Sequence, residues 1–284
     1  MGVVESLVSH LFIVPFTVVL RNCMSIEENL VKIKSELPSE VKLVAVSKFH
    51  PIEAVRQAYD CGQRVFGESR PQELALKAEA LPSDIEWHFI GHLQKNKLKM
   101  VLPYVAVVES VDSISLLDSI EEWAAAHPGF RKMGFMASGE DGGAVLEAED
   151  QIKAGGAHPG ENIPEADKVS VLLELHIAGE ESKQGFSPEE AAAVLKGPAR
   201  WPHVRFVGLM GMATFTDDEA LIRSDFGKLT SLFASLETLR GTLPNLSQDF
   251  REMSFGMSED YKIALSMGAT IVRIGTAIFG QRNY

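Results

Sequence analysis

The chain has 284 residues, 45% hydrophobic and 23% charged, the balance of a globular protein long enough for one large domain or two ordinary ones. Its net charge of −12 excludes the basic stripe that a nucleic-acid surface needs. Two cysteines, Cys23 and Cys61, form neither a CxxC pair nor a disulfide framework, which fits a reducing compartment and a cytoplasmic location.

Residues 1–23 are expected to be an extension outside the fold. The apolar run "LFIVPFTVVL" within them is interrupted by Pro15 and too short to span a bilayer, so no membrane partner is expected. No positive region precedes it, as a secretory signal would require. "MSIEENL" at Met24 reads as a start, with Ser25 and Glu28 in capping-box spacing. The functional domain is therefore expected over 24–284.

From there the pattern alternates. A helix over 26–37 precedes a strand at 41–47, and a helix follows at 51–61. Further strands are predicted at 64–68, 86–91, 104–110, 168–177, 204–211, 251–256 and 269–275. Helices are predicted at 113–126, 187–196, 217–239 and 258–267. Strands alternating with helices imply right-handed crossovers and a parallel sheet, and eight such units match a (β/α)8 barrel. A doubly wound open sheet is the alternative. Neither GxGxxG nor a P-loop follows any strand. Residues 128–167, rich in Gly, Ala and acids, read as a solvated insertion with a short helix near 144–153.

In a barrel the strand C-terminal ends share one face, where sites belong. On that face fall Lys48, Glu68 with Ser69, Gly91 with His92, Glu109 with Ser110, His176, Gly211, "SFGMS" (254–258) and "RIGT" (273–276). In "SFGMSED", Ser258 stands where the next helix should begin, so it reads either as an ordinary N-cap or as half of a phosphate cup. Gly275 and Thr276 supply a second set of donors. Lys48 ends the apolar run "VKLVAV", where a strand-closing surface charge is the ordinary assignment. A pocket of low dielectric would instead disfavour the ammonium and free an amine to attack a carbonyl. A phosphorylated aldehyde satisfies both ends, and pyridoxal 5′-phosphate (PLP) is the commonest. A class I aldolase-like barrel acting on a sugar phosphate is the competing reading of the same lysine. His88, His92 and His176 lack HExxH or carboxylate spacing for a metal, and His88 reads as a satisfied core histidine. No GxSxG elbow is present.

"VAVSKFHP", "WHFIGHLQKNK", "ESKQGF", "GLMGM", "SFGMSEDYKIAL" and "VRIGTAIFG", in this order from Met24 to the C-terminus, resemble the pyridoxal phosphate homeostasis proteins. The resemblance implies a single-domain barrel like the N-terminal domain of alanine racemase, the fold-type III class of PLP proteins. It makes Lys48 the Schiff-base lysine. Met257 and Ser258 match the family's "MGMS" motif, with Ser258 its phosphate-binding serine, and Gly275 with Thr276 match its phosphate-binding "GT". Arg273 matches the arginine that faces the pyridine nitrogen, and Lys183 a second lysine near the site. One position departs: the family often reads "FGEN" where this chain reads "FGES", so Ser69 replaces an asparagine near the cofactor's phenolic oxygen. A permanently charged Arg273 disfavours protonation of the ring nitrogen and so weakens the electron sink. The implied role is to hold and deliver PLP, with PLP-dependent apo-enzymes as recipients and without sustained turnover. The alternative is an amino-acid racemase. Racemases take a tyrosine base from an additional β domain, and with the chain ending at Tyr284 the expectation is that this domain is absent and the protein a monomer.

Overall fold

The computed structural model describes residues 25–130, 163–179 and 184–281. Ser25 and Glu28 close the reciprocal capping box at the start of α1 (Ile26–Glu36), whose Leu30 and Ile33 face the core. Eight strands follow: β1 (Lys42–Val46), β2 (Val65–Glu68), β3 (Glu86–Phe89), β4 (Val105–Val111), β5 (Val169–Leu175), β6 (Val204–Gly211), β7 (Glu252–Ser254) and β8 (Ile271–Ile274). All neighbours pair in parallel, and β8 returns to β1 through Ile271 opposite Lys42 and Ile274 opposite Ala45, so the sheet closes into a barrel. The barrel expectation holds, and the open-sheet alternative falls because no edge strand is left.

Helices fill the crossovers. They are α2 (Ile52–Asp60), α3 (Pro71–Ala80), the single-turn α4 (Leu98–Val101), α5 (Ile114–Ala126), α6 (Pro188–Lys196), α7 (Glu219–Glu237), α8 (Tyr261–Ser266) and α9 (Thr276–Phe279). Pro71 at the first position of α3 and the capping box of Ser187 and Glu190 at α6 are start signals that suit these helices. Cys61 closes α2 as its C-cap, with Gly62 beyond it in the left-handed region at φ 82°.

The period of two along each strand divides the core. Leu43, Ala45, Val171, Leu173, Val272 and Ile274 point outward into the main core between sheet and helices. Val44, Leu172, Val207, Met210 and Ile271 form a second cluster, inside the barrel. Phe226 of α7 packs on Phe255 with ring centroids 4.7 Å apart, one of the contacts that fastens helix to sheet. Burial of each such ring stabilises the fold by roughly 1.5–3 kcal/mol. At Gly208 the β6 and β7 backbones come so close that a Cβ would lie 1.8 Å from the Glu252 carbonyl oxygen, so only glycine fits.

The predicted insertion and its short helix lie mostly outside the described residues. Its two ends are tied together, for the Gly129 N–H donates to Asp167 at 2.8 Å. The expected extension over 1–23 also lies outside them. Among the described residues no helix is long and apolar enough to cross a membrane.

Candidate functional site

Lys48 lies two residues beyond β1, half-buried. The backbone on both sides of it is held. Ser47 is fully buried, donates its N–H to Gly67 and its hydroxyl to Glu68, and accepts Lys77 of α3 on its carbonyl at 2.8 Å. On the other side Phe49 has φ 67°, the one positive value for a non-glycine residue among the described residues, a conformation that costs on the order of 1–2 kcal/mol. Two contacts hold it there: its N–H donates to Glu73 at 2.9 Å, and Arg70 sits 4.2 Å over its ring. The amine is thus carried on a pinned turn.

Beneath that turn, Lys77 and Glu68 pair at 2.7 Å with side chains 4% and 0% exposed. Burial pushes the Glu68 carboxyl up, against the pull of Lys77 and Ser47. Burial wins despite the close pair because the second carboxylate oxygen, Oε2, is enclosed with no hydrogen-bond partner.

A cavity of about 850 Å³ opens at the C-terminal mouth of the barrel, and Lys48, Met257, Ser258, Arg273, Gly275 and Thr276 all line it. Ser69 is not among its lining residues; it follows β2 with its backbone pressed against Gly91. Lys183 lies outside the described residues. Of the two readings of Ser258 the N-cap fails: α8 starts only at Tyr261, after Asp260. The cause is local, since Asp260 turns back to accept the Met257 N–H at 2.5 Å and holds 257–260 in a turn. Ser258 is left to accept the Ala277 N–H of α9 at 3.4 Å, which joins the two halves of the predicted cup. Gly256 permits the turn with φ 95°, where a Cβ would lie 2.5 Å from Ala264.

Arg273 projects from β8 with 4% exposure, and donates to the Ser254 carbonyl at 2.8 Å, the Ser254 hydroxyl at 2.6 Å and the Gly211 carbonyl at 3.0 Å. Glu109, placed by its sequence position on the rim, is instead fully buried within the barrel, 3.6 Å from Arg273. His88 is the satisfied core histidine expected, bonded to Glu109 at 2.5 Å and Glu86 at 3.0 Å. Burial pulls His88 down, but these two carboxylates together raise it and favour the imidazolium. Glu86 is held down to about 2 by the hydrogen bond with His88 and by Lys42. Sequence reasoning gave neither Glu109 nor Ser254 a role. Strand parity was the available signal, because Glu109 follows the inward Val107 by two residues.

Glu174 of β5 is another inward carboxyl, 8% exposed and pushed up to about 7 by burial, with Asp112 acting in the same sense and Arg273 and His92 opposing. A carboxyl raised above its ordinary 4.5 contributes stability that is fully present below that value and is lost as pH rises through 7. Glu174→Gln should therefore match the parent near pH 4 and exceed its stability by about 3 kcal/mol at pH 8. Urea denaturation at the two pH values measures this; an equal effect at both would mean that Glu174 is solvated.

A family model described as alanine racemase, N-terminal domain, matches residues 22–283. The pyridoxal phosphate homeostasis protein of Aquifex aeolicus is 34% identical over 245 residues, which cover 86% of this chain and 88% of that protein. The protein of the same name from Homo sapiens is 36% identical over 260 residues, 88% of this chain and 80% of that one. Among solved structures, PipY of Synechococcus elongatus with PLP bound superposes at a TM-score of 0.65 with 30% identity, covering 90% of this chain and 100% of that one. With its closed parallel barrel and these matches along nearly its whole length, the chain belongs to the pyridoxal phosphate homeostasis proteins, within the alanine racemase N-terminal domain family.

Proposed function

We propose that this chain binds PLP at the C-terminal mouth of the barrel, with Lys48 as the Schiff-base residue, and serves intracellular PLP homeostasis by holding the cofactor and handing it on. One observation carries the reading: a single cavity collects an amine, a buried guanidinium and two hydroxyl-bearing turns from separate strand ends. The PLP-bound PipY structure, 30% identical, supports it.

The residues present suit the cofactor. Ser258 and Thr276 offer hydroxyls, and the start of α9 offers the Ala277 N–H, which lies 3.4 Å from the Ser258 hydroxyl. They would hold the phosphate. The pinned turn presents the Lys48 amine as the group that would hold the cofactor's aldehyde. Bound PLP supplies a carbonyl for reversible exchange between amines and, when its ring is protonated, an electron sink. Arg273 would face the ring nitrogen as a fixed hydrogen-bond donor and keep it unprotonated. That favours storage and transfer over carbanion chemistry.

PLP-dependent apo-enzymes would be the recipients, and the carrier would act as a cytoplasmic monomer. The exposed free thiol of Cys61 supports a reducing compartment. A racemase would need a second base beside Lys48, and among the described residues no tyrosine lines the cavity. Steady alanine racemisation abolished by Lys48→Ala would establish that reading instead.

The test is an absorption spectrum of the purified protein with excess PLP, before and after borohydride, followed by peptide mapping. A pyridoxyl group on Lys48 is expected, and a reduced protein without it would overturn the proposal. Ser258→Ala should keep the fold and weaken retention about ten- to a hundredfold, as loss of a hydrogen bond to a charged group of about 1.5–3 kcal/mol implies. Unchanged retention would place the phosphate elsewhere.

A further inference from the structure

Arg273 is held from beneath the cavity that it lines. Its guanidinium donates to the Ser254 hydroxyl at 2.6 Å, so that hydroxyl must direct its own proton elsewhere, and it donates to Glu109 Oε2 at 2.5 Å. The other oxygen of Glu109 meets His88 Nδ1, His88 Nε2 meets Glu86, and Lys42 donates to Glu86 at 2.6 Å. The result is a column of charged groups through the barrel. It runs from Lys42 at one mouth to Arg273 at the other and alternates in sign. Arg273, Glu109, Ser254 and His88 are at most 4% exposed.

Such a column is a poor way to gain stability. Buried ion pairs lose much of their Coulombic gain to desolvation, and apolar residues of similar volume often serve as well. The same barrel interior is apolar at Val44, Leu172, Val207, Met210 and Ile271. An arginine cannot shed its charge on burial, so its orientation follows whatever carboxylate and acceptors are fixed around it. Among the described residues Glu109 is the one carboxylate in ion-pair contact with Arg273.

We propose that Glu109, acting through the Ser254 hydroxyl and itself fixed by His88, is the positioning residue that holds Arg273 against the pyridine nitrogen of the cofactor. This rests on the PLP reading above and extends it to a residue that touches no cofactor atom.

The test is a double-mutant cycle on the full chain with Glu109→Gln, Arg273→Gln and the pair. PLP retention is read by absorbance titration, along with the pH at which the bound-cofactor band changes. Each single variant is expected to weaken retention about tenfold and to move the band's midpoint in the same direction, and the pair to match Arg273→Gln alone. Additive losses, or a parental band and retention in Glu109→Gln, would overturn the proposal. Should Glu109→Gln fail to fold, Ser254→Ala removes the link while leaving both charges in place; it should move the midpoint in the same sense by less. A parental midpoint in Ser254→Ala would overturn the proposal. Failure of the PLP reading shows separately, as unmodified protein with no trapped pyridoxyl group on Lys48, and removes both.

Discussion

Lys48→Ala protein, incubated with excess PLP and reduced with borohydride, is expected to carry no pyridoxyl group on the peptide spanning residue 48 and to lack the absorption band of lysine-linked cofactor. Among the described residues Lys48 is the lysine that lines the cavity. The fold should survive, because Lys48 is half-buried in a turn outside the barrel strands. Substitutions at such positions usually change stability by less than about 0.5 kcal/mol. Retention through phosphate contacts alone should persist weakly, and added free amine should not restore a covalent adduct to the protein. A trapped group at another lysine of the variant would mean that the carbonyl trap has been placed on the wrong residue.

Lys77→Met should destabilise the protein by about 3–5 kcal/mol, the usual cost of removing one partner from a buried ion pair. Lys77 has three acceptors: Glu68 at 2.7 Å, the Ser47 carbonyl at 2.8 Å and, more distantly, Glu73 at 3.8 Å. Its loss leaves Glu68 fully buried with the Ser47 hydroxyl as its remaining hydrogen-bond partner. The Glu68 carboxyl, already raised by burial, rises further in the variant, so the loss should grow as pH rises and shrink in acid where Glu68 is protonated. Adding Glu68→Gln should recover part of the loss, because the isolated charge is gone. Because Lys77 also holds the carbonyl before Lys48, the variant should trap PLP more slowly at a temperature where it remains folded. Equal stability of parent and variant in urea at pH 7 would show that water reaches Glu68.

Most of the fold was legible. Apolar, β-branched runs such as "KLVAV" and "VSVLLEL" became β1 and β5 with boundaries a residue or two inside those expected. Helix 217–239 contracted to Glu219–Glu237 because the Asp218 side chain caps the N–H groups of Ala220 and Leu221. The helix expected over 258–267 shortened to Tyr261–Ser266, for Asp260 spends its carboxylate on Met257 inside the preceding turn. An Asp or Ser before an apolar run signals both helix start and turn, and only the competing contacts separate them. Lys48, Met257, Ser258, Gly275 and Thr276 could be placed at the mouth because each follows a strand end, and Arg273 because it stands one residue before the end of β8, whereas their roles toward PLP came from the family resemblance.

The sequence by itself determined the alternation of strands and helices, hence a parallel sheet, and it determined which residues stand at the strand ends. These are local matters of periodicity, caps and turn formers, decided within a few residues. Only the tertiary structure decided what lies inside the barrel. Both faces of a parallel strand are buried, so the pattern along β4 or β8 does not say which face the closed sheet will enclose. Closure put Glu109 beside Ser254, 145 residues away, and beside Arg273, and so turned a rim carboxylate into the support for a guanidinium. Within one strand–helix unit, the packing of α3 on β2 set Glu68 against Lys77 under the turn of Lys48. The charges inside the barrel are settled by partners that arrive from other strands, and no local pattern records them.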